Sequence, residues 1–258
     1  MDFDEIAFGF YPYVALTVLA VGSMIRFDRE QYSWRSGSSQ LLRRKQLVAG
    51  SLMFHLGVLA IFVGHFVGLL TPIWVFDALG VPHAAKQMLA IVAGGAAGLL
   101  ALAGALVLLH RRVFDPRIRA NSSFGDTAIL VLLVAQFTLG LSTIPVSLQH
   151  RDGHEMVKFM NWAQGIFTFQ TNSASWVAGA AWQFKAHLLL GLTILLVFPF
   201  TRLVHMLSAP VWYLNRRGWQ LVRTTRAMPP RPLAAAPVYS TTIAAVRPGP
   251  ARDPKAGE

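Results

Sequence analysis

The chain has 258 residues, of which 54% are hydrophobic and only 14% charged, and its mean hydropathy is +0.47. A soluble domain usually carries about 25% charged residues, so the composition favours a membrane protein. The net charge of +11 is explained better by membrane topology than by nucleic-acid binding, because the basic residues lie between apolar segments and in the tail. The chain has no cysteine, which excludes disulfides, iron–sulfur ligation and covalent c-type haem attachment within it.

Five apolar segments are long enough to cross a bilayer as helices. The chain opens with Asp2, Asp4 and Glu5 rather than the positive charge of a signal peptide, so we expect an uncleaved first span. The long connection 147–184 contains aromatic residues at 161–169, which predict a short amphipathic helix along the outer interface. The expected spans are Phe8–Ile25, Leu47–Thr71, Met88–Leu109, Ala128–Leu148 and Ala186–His205.

The basic residues predict the orientation of these spans. Most of the 23 lysines and arginines follow the first, third and fifth spans, and the other side holds only Lys86, Arg151, Lys158 and Lys185. Because cytoplasmic loops are rich in Lys and Arg, we expect an all-α integral membrane protein with the N-terminus outside and the C-terminus in the cytoplasm. Residues 1–226 would form the membrane domain, and the Pro/Ala-rich segment 227–258 a disordered cytoplasmic tail.

Two histidines lie in the second span, which has no Asp, Glu, Lys or Arg. An ionisable residue within a span is costly and indicates a functional site. His55 and His65 are ten residues apart, which corresponds to roughly 15 Å along a helix. That distance is too long for both to bind one metal ion, so each needs a partner from another helix.

The fifth span supplies those partners, His187 and His205. On one continuous helix they would share a face about 27 Å apart. Since the second and fifth spans run in opposite directions, we expect His55 to face His205 and His65 to face His187, with helix tilt absorbing the unequal separations. Two bis-histidine haems stacked across the bilayer explain this pairing economically. Zinc and copper also bind imidazole, and a hydrogen-bonded core histidine without a cofactor is the structural alternative.

Glycines near these histidines have two interpretations. Gly57, Gly64 and Gly68 in the second span leave room either for a flat macrocycle or for a close helix contact. Gly94 and Gly98 form a small-residue pair in the third span, which helix packing explains equally well. We expect the remaining histidines to be solvated surface residues: His83, His110, His150 and His154.

Five sequence blocks together are specific enough to indicate a family. The blocks are QYSWRSGSSQ (31–40), FHLGVLAIFVGHFVGLLTP (54–72), RVFDPRIRA (112–120), QHRDG (149–153) and FPFTRLVH (198–205). From about residue 11 to residue 223 the chain resembles the gamma subunit of the membrane-bound respiratory nitrate reductases, a five-helix dihaem cytochrome b. The Pro/Ala-rich tail departs from the family pattern, and no function is assigned to it.

The resemblance implies two non-covalent b haems, one near the cytoplasm held by His55 and His205 and one near the outer face held by His65 and His187. It implies oxidation of a quinol, menaquinol or ubiquinol, near the outer haem, where Lys86 matches a family lysine. It also implies an iron–sulfur subunit and a molybdenum catalytic subunit as partners on the cytoplasmic face of the bacterial inner membrane.

Within this picture, Lys86 could bind a quinone carbonyl and Gly64 could allow close approach of the quinol, but a snorkelling lysine is the alternative. Four arginines could bind haem propionates in bidentate fashion, although the positive-inside effect also explains them. These arginines are Arg35, Arg111, Arg112 and Arg202.

Two other functions stay open at this point. The first is a dihaem anchor of a related sulfur-cycle or heterodisulfide-type reductase, since nothing in the chain touches the terminal substrate. The second is a haem-free membrane protein whose histidines relay protons, which predicts no Soret absorption.

Overall fold

A computed structural model describes residues 2–34 and 42–208 of the chain. All regular structure in these ranges is helical, and five helices are long and apolar enough to cross a membrane. They are α1 (Phe3–Glu30), α2 (Arg44–Leu70), α3 (His83–Phe114), α4 (Phe124–Gln149) and α5 (Trp182–Val197). Arg35 and the predicted tail 227–258 lie outside the described residues.

The prediction of five apolar helices is confirmed, and the observed helices are mostly longer than the apolar segments. Polar turns extend them because a helix can continue beyond the roughly 30 Å of hydrocarbon that its apolar part must cross. α3 begins at His83 instead of Met88, so Lys86 lies in its first turn. α1 contains a π-helical stretch at Ile6–Phe10. The orientation of the termini stays a prediction.

The fifth span differs from the expectation. Ala186–His205 is not one helix, because α5 ends at Val197. Two 3-10 helices follow, Phe198–Phe200 and Arg202–Met206. Pro199 has no backbone N–H to continue the α-helix, and in a continuous helix its ring would clash with the carbonyl four residues earlier. The α-helix therefore stops before it. The expectation that His187 and His205 share one helical face about 27 Å apart is therefore wrong.

The long helices pack as neighbours in the order α2, α3, α4, α5 and α1. Neighbours run antiparallel except α5 and α1, which run parallel. α2 and α3 approach each other through glycines, since a Cβ on Gly57 would lie 2.5 Å from the backbone N of Ala101. Gly57 is thus a close helix contact rather than room for a macrocycle. No atom of residues 2–34 or 42–208 lies within 4 Å of the Cβ positions of Gly64, Gly68 and Gly94, whereas a Cβ on Gly98 would meet Leu141.

A surface helix, His154–Phe167, packs against α1, α2 and α3 at the end of the bundle where α2 ends. It buries one apolar face, and the Trp162 indole N–H donates to the Phe8 carbonyl at 2.9 Å. The predicted amphipathic helix is confirmed, although it begins at His154, seven residues before the expected segment. At the same end, Lys185 and Asp4 form an ion pair of 2.6 Å that joins α5 to α1.

The opposite end, where α2 begins and α3 ends, is called the basic end below. Arg43 and Asp115 form an ion pair of 2.7 Å there. Desolvation raises the pKa of Asp115, but the backbone N–H groups of Ile118 and Arg117 and the Arg43 guanidinium outweigh it, so the pKa of this carboxyl lies below its usual value. The ion pair therefore fixes the start of α2 against the end of α3.

Candidate functional site

The four span histidines meet as two pairs. The ring centroids of His55 and His205 are 6.4 Å apart with an interplanar angle of 70°, and those of His65 and His187 are 6.2 Å apart at 45°. In the described part of the chain α2 and α5 do not pack closely against each other, so the rings meet across the space between these helices. The partners are those expected from topology, and metal ligation by them stays a prediction.

The break at Pro199 removes the mismatch in axial separation. Because the α-helix stops at Val197, His205 lies on the 3-10 helix Arg202–Met206 and at the level of His55. No large tilt of α2 against α5 is then required to form both pairs.

Three of the four imidazoles direct Nδ1 at a backbone carbonyl. The Nδ1 to oxygen distances are 2.7 Å for His55 to Ser51, 2.9 Å for His65 to Ile61 and 2.5 Å for His205 to Arg202. An imidazole that donates through Nδ1 keeps the lone pair of Nε2 free for a metal, and the bond fixes the ring orientation. In these three side chains the Nδ1 contact would leave Nε2 available to a metal.

The fourth imidazole, His187, is held by α4. The Gln136 side-chain amide donates to the His187 carbonyl at 3.1 Å, and its nitrogen lies 3.5 Å from the His187 Nε2. A Cβ on Gly140 would lie 2.9 Å from the His187 Cε1, so glycine leaves the space that the ring fills. Among the described residues, neither the His187 Nδ1 nor the Gln136 Oε1 has a hydrogen-bond partner, although both are buried.

The ring separations would allow each facing pair of imidazoles to hold one metal ion between them. An imidazole–metal bond of about 2.0–2.1 Å places two opposed nitrogens about 4 Å apart, and a further ~1 Å to each ring centre gives roughly 6 Å. The observed values are 6.4 and 6.2 Å. The described residues contain no group of three or more His, Cys, Asp or Glu side chains suited to a metal ion. A metal held by one such pair would have to bring its other ligands with it, as the iron of a haem does.

Lys86 is buried, with 8% of its surface exposed, and the snorkelling alternative is therefore wrong. Its ammonium donates to the Gly68 carbonyl at 3.1 Å, contacts the Met160 sulfur at 2.9 Å and lies 3.5 Å from the centre of the Phe76 ring. Gly68 is one helical turn beyond His65 on α2. The charge therefore stabilises the C-terminal carbonyls of α2 and lies on the side of the bundle that carries the His65–His187 pair.

Three of the four arginines proposed as propionate ligands have protein contacts at the basic end, and Arg35 lies outside the described residues. Arg111 donates to the Leu42 carbonyl at 2.6 Å, and Arg112 donates to the Asp126 carbonyl at 2.5 Å. The Arg202 Nε lies 3.8 Å from the Asp126 carboxylate. Propionate binding by these side chains stays a prediction.

Comparison with known proteins identifies the family. The family model described as nitrate reductase gamma subunit matches residues 4–225. The chain belongs to this family. It is 50% identical over 216 residues to the respiratory nitrate reductase 1 gamma chain of Escherichia coli (strain K12), covering 84% of this chain and 95% of the relative. It is 35% identical over 212 residues to the nitrate reductase gamma chain of Bacillus subtilis (strain 168), covering 82% and 95%. The resemblance stated from the sequence blocks is confirmed.

Sequence reasoning missed two residues that position a histidine in this gamma subunit family member. Gln136 is a polar side chain in the middle of an apolar segment, and such residues usually have a partner within the bundle. Gly140 lies inside a helix, where glycine costs stability and so usually has a packing reason. Both signals are visible in the sequence, but only the structure connects them with His187.

Proposed function

We propose that the chain is the membrane anchor and quinol-oxidising cytochrome b subunit of a respiratory nitrate reductase. The observation that carries the proposal is that His55 and His65 of α2 meet His205 and His187 as two facing pairs, at ring separations where each pair could hold one haem iron. Membership of the gamma subunit family supports nitrate reductase as the complex.

In this proposal His55 and His205 hold one b haem, and His65 and His187 hold the other. The bound haems would supply one-electron redox centres at two depths of the membrane. The chain orients the ligands through the Nδ1 contacts of three imidazoles and through the packing of the fourth against Gly140.

The charge pattern supports a cytoplasmic basic end and an outer His65–His187 pair. Oxidation of a quinol in the outer half releases two protons to the outer water and two electrons that travel inward. The membrane potential is positive outside, so each electron that moves inward would cost about 2.3 kcal/mol per 100 mV. The redox drop to the cytoplasmic iron–sulfur subunit, and then to a molybdenum subunit, must exceed that cost, so the subunit would couple nitrate reduction to proton release.

We place the quinol beside Lys86, His65 and Gly64. The open space at the Gly64 Cβ position supports close approach to His65. The Lys86 ammonium has a sulfur and an aromatic face among its contacts, and a quinol oxygen is a stronger acceptor than either. Exchange of these weak contacts for a charge-assisted hydrogen bond would bind the quinol head group.

We predict that Lys86→Met slows quinol oxidation in the assembled complex by about 10- to 100-fold, the loss expected for one hydrogen bond to a charged group. Haem content should stay at the wild-type value, because Lys86 does not contact the four histidines. The measurement is quinol-dependent haem reduction in membranes, together with haem per polypeptide.

Gln164→Leu is the matched control for the structural role of Lys86. The Gln164 amide donates to the Leu69 and Thr71 carbonyls at 3.0 Å each, next to the Gly68 carbonyl that Lys86 contacts. If stabilisation of these carbonyls explained the effect, the two variants would lose similar amounts of activity. That result would contradict a role for Lys86 in quinol binding.

The cytochrome proposal is tested by haem per polypeptide, measured as the pyridine haemochrome, and by a reduced-minus-oxidised spectrum. We expect two b haems in the wild type and one in each single variant His55→Ala, His65→Ala, His187→Ala and His205→Ala. A folded wild-type protein without Soret absorption would contradict the proposal and favour the proton relay. Two haems with a sulfur-cycle or heterodisulfide-type reductase as the co-purified partner would contradict only the choice of complex.

A further inference from the structure

We propose that Arg26 is a positioning residue for His205, because its guanidinium fixes the chain break that brings this histidine to His55. The inference rests on the proposed function, in which His205 is a haem ligand. Arg26 lies near the end of α1, which runs parallel to α5 and ends beside the break.

The contacts of Arg26 join three segments of the chain. Its Nη1 donates to the Pro199 carbonyl at 2.6 Å and to the Thr201 carbonyl at 2.9 Å. Its Nε and Nη2 donate to the side chain and the carbonyl of Ser33 at 3.1 and 3.2 Å. One planar guanidinium therefore binds both the 3-10 helix after α1 and the segment that follows α5.

These bonds satisfy carbonyl groups that the helix break exposes. The last carbonyls of a helix have no partner within it and need donors from elsewhere. Arg26 supplies such donors to Pro199, inside the first 3-10 helix, and to Thr201, the extended residue before the second one. A hydrogen bond from a fixed, charged donor in this half-buried environment contributes more to stability than a neutral hydrogen bond does.

The fixed break leads directly to the imidazole. The residue after Thr201 is Arg202, and its carbonyl accepts from the His205 Nδ1 at 2.5 Å. The Thr201 and Arg202 carbonyls belong to consecutive peptide units, so a fixed Thr201 carbonyl restricts the position of the carbonyl that orients the His205 ring. Orientation of a ligand by the groups around it is a general requirement of metal sites.

Packing of α1 supports the same role. Gly22, one helical turn before Arg26 on the same face, would place a Cβ 3.0 Å from the Pro199 ring. Glycine thus allows α1 to approach the break closely enough for the guanidinium to reach both carbonyls. Phe198, Leu203 and Val204 are buried around it, so the segment packs into the bundle on both sides of the break.

The test uses Arg26→Gln in the assembled complex and in a His187→Ala background, where only the His55–His205 pair can bind haem. We expect haem affinity of that pair to fall roughly tenfold, the lower end of the range for a residue that orients a metal ligand. Its midpoint potential and low-temperature spectrum should shift, whereas the His65–His187 haem should be unchanged in a His55→Ala background. Arg26→Lys, which retains the charge and can still reach one carbonyl, should restore part of the affinity.

Arg29→Gln is the matched control, because Arg29 lies one turn further along the same helix and is exposed. An Arg26→Gln protein with unchanged affinity and potential at the His55–His205 pair would overturn the inference. Equal losses of haem affinity at both pairs would also overturn it, because they would indicate a role of Arg26 in the fold as a whole. Ser33→Ala is a milder variant that removes one contact of Arg26, and it should lower haem affinity at the His55–His205 pair with less risk of misfolding. A wild type without two haems would instead overturn the proposed function.

Discussion

Replacing Gly57 with alanine is expected to reduce the haem content of both histidine pairs and to lower the free energy of unfolding by about 2–3 kcal/mol. The new Cβ would lie 2.5 Å from the Ala101 nitrogen and 2.7 Å from the Ala97 oxygen. These are backbone atoms of α3, which cannot move aside as a flexible side chain can. Since α2 has to separate from α3, and α2 carries both His55 and His65, one displacement disturbs both pairs.

The measurement is haem per polypeptide, with thermal unfolding of the detergent-solubilised protein followed by circular dichroism. Gly94→Ala is the matched control, because it makes the same chemical change on α3 where no described residue has an atom within 4 Å of the Cβ position. We expect this control to keep wild-type haem content and stability. A Gly57→Ala protein with two haems and unchanged stability would show that α2 and α3 can separate without moving the histidines.

The number of spans could be predicted from the sequence because a bilayer imposes one simple requirement on each. Roughly 20 apolar residues are needed to cross the hydrocarbon, and five segments meet that requirement. The exact ends could not be predicted in this way. Lys86 shows the reason: the first turn of α3 is polar, and its charge is satisfied by the Gly68 carbonyl of another helix, which no property of the segment itself reveals.

The histidine partners could be predicted because topology alone decides which ends of antiparallel helices meet. Their axial positions could not, because the prediction treated α5 as continuous through Pro199. The proline is visible in the sequence and normally ends a helix. Its importance here is that the break allows His205 to reach the level of His55.

Contacts between helices account for the remaining differences. Gly57 and Gly64 have the same chemistry and lie on the same helix, yet a Cβ on Gly57 would strike the backbone of α3 and a Cβ on Gly64 would meet none of the described atoms within 4 Å. The two are seven residues apart and so lie on nearly the same face of α2, and only their different depths along the contact with α3 distinguish them. The same limit applies to Arg26, which the positive-inside rule explains completely until its four hydrogen bonds are seen.

Replacing Gly140 with valine is expected to deplete the haem held by His65 and His187 while the other pair keeps its haem. The Cβ would lie 2.9 Å from the His187 Cε1, and valine adds two methyl groups whose orientation in a helix is nearly fixed. Because those methyls cannot both turn away, the imidazole has to leave its place opposite His65. Haem per polypeptide should fall towards one, and quinol-dependent reduction should fall by at least about tenfold.

Thr138→Val on the same helix is the control for Gly140→Val. Thr138 is exposed, and its hydroxyl donates to the Val134 carbonyl of its own helix, so valine there should leave both haems in place. Equal loss at both pairs in Gly140→Val would mean that α4 supports the bundle as a whole rather than the ring of His187. Retention of both haems would mean that the observed position of His187 is not needed for binding. We expect Gly140→Val to lose haem at the His65–His187 pair alone and Gly57→Ala to lose haem at both pairs. That combination would show that the contact of α4 with His187 supports one centre, whereas the contact of α2 with α3 supports both.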